Sequence, residues 1–191
     1  VNASGDDQHW LVRKMEGAPM DYFYFNRSNR QITELFTDYP HLEIFDLASR
    51  HAFSVPTRDT LELPIHVYLP PGKDRNGDGI PNAPLPTVIY VHGGPWVGVV
   101  QWNQWYHVRN FQLLANRGYA VINMEFRSTS GLGKKMTDAG DRQWGEAMHN
   151  DIIDVVNFLA NKRIGDPNRM AMWGWSYGGY ATNAALAFAP D

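Results

Sequence analysis

Met170-Ala171-Met172-Trp173-Gly174-Trp175-Ser176-Tyr177-Gly178-Gly179-Tyr180 is the stretch that decides the fold. Its first four residues form an unbroken apolar run, the pattern of a strand buried inside a sheet. After it, Ala181, Ala184, Ala185 and Phe188 return at helical spacing. Between the two lies Gly-x-Ser-x-Gly, centred on Ser176. A strand that turns sharply into a helix brings two backbones together, and Cβ atoms at Gly174 and Gly178 would clash there. Such a turn lifts the serine hydroxyl off the end of the sheet. The following helix aims its free N–H groups and positive dipole end at the same place. This is the pattern of a nucleophile elbow, with Ser176 as the candidate catalytic nucleophile and Gly174 and Gly178 as the elbow glycines.

Working outward, the texture from Pro86 onward is α/β. Val88-Ile89-Tyr90-Val91 and Tyr119-Ala120-Val121-Ile122-Asn123-Met124 read as buried strands. Phe111, Leu114 and Ala115 suit a helix that Gly118 ends. Met148, Ile152, Val155, Val156 and Leu159 recur at steps of three and four, as on an amphipathic helix, and Pro167 follows it. Strands alternating with helices predict a mostly parallel sheet covered on both faces. Upstream, Leu61, Leu63, Ile65, Val67 and Leu69 alternate with polar residues, and Pro64 places this strand at an exposed edge. The first 45 or so residues differ again. His9 to Val12, Asp21 to Phe25 and Gln31 to Phe36 are short aromatic strands with close turns, one of them at Glu16 to Pro19, and predict a separate antiparallel meander.

Two further segments bear on chemistry. His92-Gly93-Gly94-Pro95 directly follows the strand ending at Val91. Acyl transfer needs backbone N–H groups facing a developing oxyanion, and glycines leave that approach open. His92 itself is not expected to be the base, because in folds with such an elbow the order is Ser, then Asp or Glu, then His. Asp74, Asn76, Asp78 and Gly79 match the opening of a calcium loop, but Leu85 stands where the bidentate acid belongs, so a solvated turn is expected and no metal.

Composition narrows the classes. The chain has 191 residues, 43% hydrophobic and 19% charged, with a net charge of −3 and no cysteine. A disulfide framework and a Cys nucleophile are excluded. No basic cluster points to nucleic acid or an anionic membrane, and no apolar run approaches a membrane span. The chain opens at Val1 without a signal-peptide pattern, as a processed end or the edge of a longer polypeptide would.

His92 to Trp96, Asn116 to Val121, Gly131-Leu132-Gly133-Lys134-Lys135, Gln143-Trp144-Gly145, Met148-His149-Asn150-Asp151 and Gly174 to Tyr180 together resemble the prolyl oligopeptidase family of serine peptidases, nearest its acylaminoacyl-peptidase and dipeptidyl-peptidase branches. The resemblance implies an α/β fold: residues 1–50 as the C-terminal part of a β-propeller, and residues 51–191 as the N-terminal half of an α/β-hydrolase domain. It also implies that the Tyr177 and Gly94 amides are the oxyanion donors. The activity implied is removal of short peptides from the N-terminal end of a peptide substrate, without a cofactor. The family's triad Asp and His fall well downstream of the serine. None of the seven His follows Ser176, so the chain by itself is expected to be inactive. Expected partners are a short peptide and either the remainder of the polypeptide or a second copy. Ser128 departs from the family pattern by standing where a glycine is usual, which leaves the local backbone open. Two alternatives stay open on the sequence alone: a carboxylesterase of the same fold, and a non-catalytic interaction piece.

Overall fold

A computed structural model of the chain describes residues 1–15, 17–97 and 104–189. Glu16, in the first expected turn, and Asp191 lie outside the described residues. Four strands, β1 (Asn2–Ala3), β2 (His9–Lys14), β3 (Asp21–Asn26) and β4 (Gln31–Thr37), pair antiparallel in chain order. None of them joins the second sheet, as their spacing predicts. That sheet holds β5 (Ser49–Pro56), β6 (Glu62–Leu69), β7 (Leu85–Val91), β8 (Ala120–Met124) and β9 (Gly165–Gly174) in the order β5-β6-β8-β7-β9. β5, β6 and β8 run antiparallel to their neighbours in turn, while β7 is parallel to both β8 and β9. The change of sheet falls between Thr37 and Ser49, slightly before residue 50.

Helix α1 (Trp105–Ala115) covers one face of the second sheet, and α3 (Ala147–Asn161) and α4 (Tyr177–Phe188) cover the other; α2 (Lys134–Asp138) is a single short turn before α3. The alternation along each strand assigns its side chains. Leu63, Ile65 and Val67 of β6, Ile89 and Val91 of β7, and Ile122 and Met124 of β8 pack with Met148, Ile152, Val155 and Leu159 of α3. Tyr68, Tyr90 and Val121 point the other way, toward Val108, Phe111 and Ala115 of α1. Strands buried on both faces need apolar residues at nearly every position, hence the continuous runs.

Three expectations are corrected. β6 is not an edge strand and is not half exposed, because β5 and β8 flank it and Ile65 to Leu69 are buried throughout. Pro64 is tolerated because β6 first pairs with β8 at Ile65, opposite Met124. Its missing N–H therefore lies beyond the end of β8, and its carbonyl still accepts from the Glu125 amide at 3.0 Å. β5, the terminal strand on the β6 side among the described residues, carries too weak an alternation in Arg50-His51-Ala52-Phe53 to be read from sequence. β9 was expected to be buried, but Ala171 and Trp173 are exposed, since among the described residues only β7 pairs with it.

Gln112 is one of several side chains, with Met15, Tyr39 and Leu42, through which the N-terminal segment and the α1 side of the second sheet are joined. Gln112 on α1 is buried; its Nε2 donates to the carbonyls of Gly17 (2.5 Å) and Ala48 (3.0 Å), and its Oε1 accepts from the Ala48 amide (2.7 Å). A glutamine amide satisfies three backbone groups that burial would otherwise leave unpaired.

Candidate active site

Strand β7 has β8 on one side and β9 on the other, with α1 and α3 on opposite faces of the sheet. Where the direction of winding reverses like this, a crevice opens beyond the carboxyl ends of the strands. The three strands stop at one level: Val91 pairs with both Met124 and Gly174, the last residues of β7, β8 and β9. Three loops therefore converge there, His92–Val97 after β7, Glu125–Gly133 after β8, and Trp175–Ser176 after β9.

The third loop is the elbow. Ser176 has φ 56° and ψ −122°, a region that L residues avoid at a cost of about 1–3 kcal/mol. It is held there by close packing on both sides. A Cβ on Gly178 would lie 1.9 Å from the carbonyl oxygen of Val91, so the first turn of α4 rides directly over the end of β7. A Cβ on Gly174 would lie 2.5 Å from the backbone carbon of Gly178. Both positions accept only glycine. Ser176 occupies the N-cap position of α4, yet its hydroxyl makes no capping bond to the helix. Serine at that position ordinarily caps; here the backbone turn directs the side chain, which is exposed, away from the helix amides. Among the described residues the Tyr177 amide has no acceptor, as befits the first donor of a helix.

The loop after β7 lies against this serine. A Cβ on Gly93 would stand 3.2 Å from the Ser176 Cβ and 3.2 Å from the Trp175 carbonyl oxygen. Gly94 follows with φ 117°, where a side chain would meet the Trp96 and Val97 amides at 2.7 and 2.8 Å. His92 is buried and engaged through both ring nitrogens. Nδ1 lies 2.7 Å from the Gly93 carbonyl, which can only accept, so Nδ1 carries a hydrogen. Nε2 lies 3.0 Å from Thr129 Oγ1 and 3.3 Å from Glu125 Oε2, and the ring stacks on Phe126 at 4.3 Å. Both ring nitrogens of His92, which sequence order does not favour as the base, are thus engaged with buried neighbours.

The loop after β8 is anchored in its turn. Arg127 grips Asp151 of α3 through Nε and NH2 (2.7–3.0 Å) and Asp59 through NH1 and NH2 (2.8 and 2.9 Å). The Arg127 amide also donates to Asp151 at 2.9 Å. The guanidinium holds the Asp59 carboxyl well below the usual carboxylate range.

Comparison with known proteins agrees with the geometry. Residues 104–191 match the prolyl oligopeptidase family. Over 97% of its length the chain is 39% identical to dipeptidyl aminopeptidase BIII of Pseudoxanthomonas mexicana. It belongs to the prolyl oligopeptidase family. It is also 33% identical, over its whole length, to dipeptidyl peptidase family member 6 of Caenorhabditis elegans. The chain spans 27% of the length of each of these relatives. The solved acylaminoacyl peptidase of Pyrococcus horikoshii shares the fold, with a TM-score of 0.70 at 23% identity over 95% of this chain and 28% of that one.

Two of the family's sequence landmarks, His92 to Trp96 and Gly174 to Tyr180, thus meet at one end of the second sheet, while Asn116 to Tyr119 lead into β8 at the opposite end. Gly93, Gly94, Ser176, Gly174 and Gly178 come together; Tyr177 contributes its amide there while its ring is buried against Phe126 (5.3 Å) and Trp144 (4.8 Å), and burial pushes its phenol above the ordinary tyrosine range. Ser128 resolves the question raised by its departure from the family pattern: it keeps a glycine-like backbone, with φ 84°. Asp74 of the calcium-like loop accepts from the Gly77 and Gly79 amides (2.9 and 2.8 Å), so its carboxylate closes a turn. Sequence reading missed Glu125 and Thr129. The available signal was a carboxylate placed directly after the buried run that ends at Met124.

Proposed function

We propose that Ser176 is the nucleophile of a serine exopeptidase that releases short peptides, dipeptides foremost, from the N-terminal end of a peptide chain. The observation that carries this reading is a serine held at φ 56° in an N-cap position without capping, its hydroxyl exposed beside Gly93. The dipeptidyl names of both relatives favour a peptidase over an esterase. In the reaction, Ser176 Oγ bonds to the scissile carbonyl carbon while a histidine takes its proton. The carbonyl oxygen gains the charge and faces the Tyr177 and Gly94 amides. The C–N bond then breaks as the histidine returns the proton to the departing amine, and water hydrolyses the ester. His92 is committed to the Gly93 carbonyl and to Thr129 and Glu125. The base and the acid that orients it therefore belong to a part of the polypeptide other than these residues. On this reading residues 1–50 are the end of a β-propeller and residues 51–191 the first half of the hydrolase domain. The uncovered apolar side of the first sheet, with Trp10, Val12, Phe23 and Phe25, is then where a neighbouring blade packs.

The test uses the full polypeptide. A fluorophosphonate, which mimics the tetrahedral state, is expected to label Ser176, and Ser176→Ala is expected to lower peptidase turnover by about 10⁴-fold or more with folding intact. Labelling at another serine, or near-normal turnover of the variant, would overturn the assignment.

A further inference from the structure

We propose that Glu125 is a positioning residue for the acyl-transfer centre: acting through the His92 imidazole, it fixes the Gly93 carbonyl and thereby the direction of the Gly94 amide. The inference rests on the reading of Gly94 as an oxyanion donor. The chain of contacts is short and buried. Glu125 Oε2 lies 3.3 Å from His92 Nε2, and both side chains are almost fully enclosed, at 2% and 1% exposure. Thr129 Oγ1 shares the same nitrogen at 3.0 Å. At the other side of the ring, Nδ1–H donates to the Gly93 carbonyl at 2.7 Å. That carbonyl belongs to the peptide unit whose nitrogen is the Gly94 amide. The group that holds the oxygen therefore sets the orientation of the N–H on the same rigid plane.

Two observations indicate that this device serves the loop and is not a by-product of packing. First, the loop cannot hold itself: Gly93 and Gly94 carry no side chains, and Gly94 adopts φ 117°. A second tie, Ser130 Oγ donating to the Trp96 carbonyl at 2.7 Å, comes from the same β8 loop. Second, the β8 loop is braced independently of the site, through Arg127 to Asp151 and Asp59. Glu125 and Thr129 thus present a fixed carboxylate and a fixed hydroxyl to His92. A carboxylate buried without purpose is costly and easily replaced by an apolar residue of similar size.

An oxyanion donor acts in the transition state and not in the bound substrate, so misaiming it lowers kcat and leaves KM nearly unchanged. The experiment compares Glu125→Leu, Glu125→Gln and His92→Gln in the full-length enzyme, with turnover counted per serine labelled by the fluorophosphonate. Glu125→Leu removes the carboxylate and is expected to lower kcat about 10- to 100-fold, less than the outright loss of an oxyanion donor. Glu125→Gln retains an acceptor oxygen and should recover most of that loss. The affinity of a peptide boronic acid, which forms a tetrahedral adduct, should fall in proportion to kcat, while KM for the substrate moves less than about twofold. The Glu125→Leu and His92→Gln effects should be strongly non-additive, since both act on one carbonyl. Ser176 labelled normally with kcat of Glu125→Leu near wild type, or a rise in KM at constant kcat, would overturn the positioning role alone. Failure of Ser176 to label in the wild-type enzyme would overturn the underlying reading and this inference with it. If Glu125→Leu does not fold, the Glu125→Gln and His92→Gln pair decides: equal kcat losses without change in boronate affinity would count against the proposal.

Discussion

The two sheets are built from equally apolar sequence and reach different ends. In the first, no strand residue is buried: β3 is half-buried at every position, β4 is exposed except at Thr37, and Ile32 stands at 69% exposure. In the second, β7 and β8 are enclosed by helices on both faces, and Ile122 is at 0%. A large concavity lies on the first sheet, lined by Trp10, Val12, Phe23, Phe25 and Ile32. It is an uncovered, mostly apolar sheet face, with Arg13 and Lys14 also at its lining. The chemistry proposed for Ser176 sits instead where β7, β8 and β9 end at one level. Layering, and not composition, makes a core and positions a site.

The sharpest way to break this comparison is at glycine. Gly178→Val is expected to abolish the folded state of the hydrolase part, since even a Cβ there would overlap the Val91 carbonyl at 1.9 Å. Gly5, beside β1, has nothing within 4 Å of its Cβ position, and Gly5→Ala should leave stability within about 0.5 kcal/mol. Thermal unfolding of both variants checks the pair; a folded Gly178→Val protein would mean that the elbow packs more loosely than described.

Next in size is the contrast of two isoleucines. Ile122→Ala opens a cavity between α3 and the sheet and should cost about 2–5 kcal/mol. Ile32→Ala, on the open face, should cost less than about 0.5 kcal/mol in this chain. Denaturant midpoints measure both. A cost at Ile32 comparable to that at Ile122 would show that another layer covers the first sheet in solution.

The same contrast explains what could be read in the sequence. Runs such as Val88 to Val91 are conspicuous because both faces are buried, and the elbow is conspicuous because two glycines are sterically required around Ser176. The strand Leu61 to Leu69 misled because His66 and Tyr68 look like solvent-facing residues, yet both are buried, Tyr68 against α1. β5, terminal among the described strands, was silent because it is half solvated and need not alternate cleanly. Glu125 shows locally only as a carboxylate directly after a buried run; its role, like that of Thr129, depends on β8 ending level with β7, a property of register.

His66 gives the comparison a pH axis. It lies on β6, opposite Asn123 of β8, and burial, assisted by the Arg50 charge, lowers its pKa to about 4. The unfolded chain takes up the proton near the ordinary value of about 6.5, and the folded chain resists it. Stability is therefore full above the unfolded pKa, falls as pH drops through it, and stops falling below about 4, where both states are protonated. The loss is on the order of 3 kcal/mol. His66→Gln should flatten that part of the stability–pH curve. An unchanged slope in the variant would place the acid sensitivity on other groups.

The smallest expected effect concerns Ser128, in the brace behind the active site. Its φ of 84° is a conformation that glycine adopts freely and other residues at a cost of about 1–3 kcal/mol. The structure holds it there: its amide donates to the Met136 carbonyl at 2.9 Å, and a Cβ on Gly140 would lie 2.3 Å from the Ser128 Cβ, so the two positions pack backbone to side chain. Ser128→Gly relieves the backbone but makes the unfolded chain more flexible, at about 0.5–1 kcal/mol. The net expectation is a gain in stability of less than about 1 kcal/mol, with peptidase kcat unchanged because the Arg127 and Thr129 contacts persist. Gly140→Ala, which drives a methyl into Ser128, should destabilise instead. In the Ser128→Gly background that cost should shrink, because the facing Cβ is gone. Equal costs of Gly140→Ala in both backgrounds would show that Ser128 and Gly140 do not constrain one another, and that the left-handed turn is set by the Met136 hydrogen bond alone.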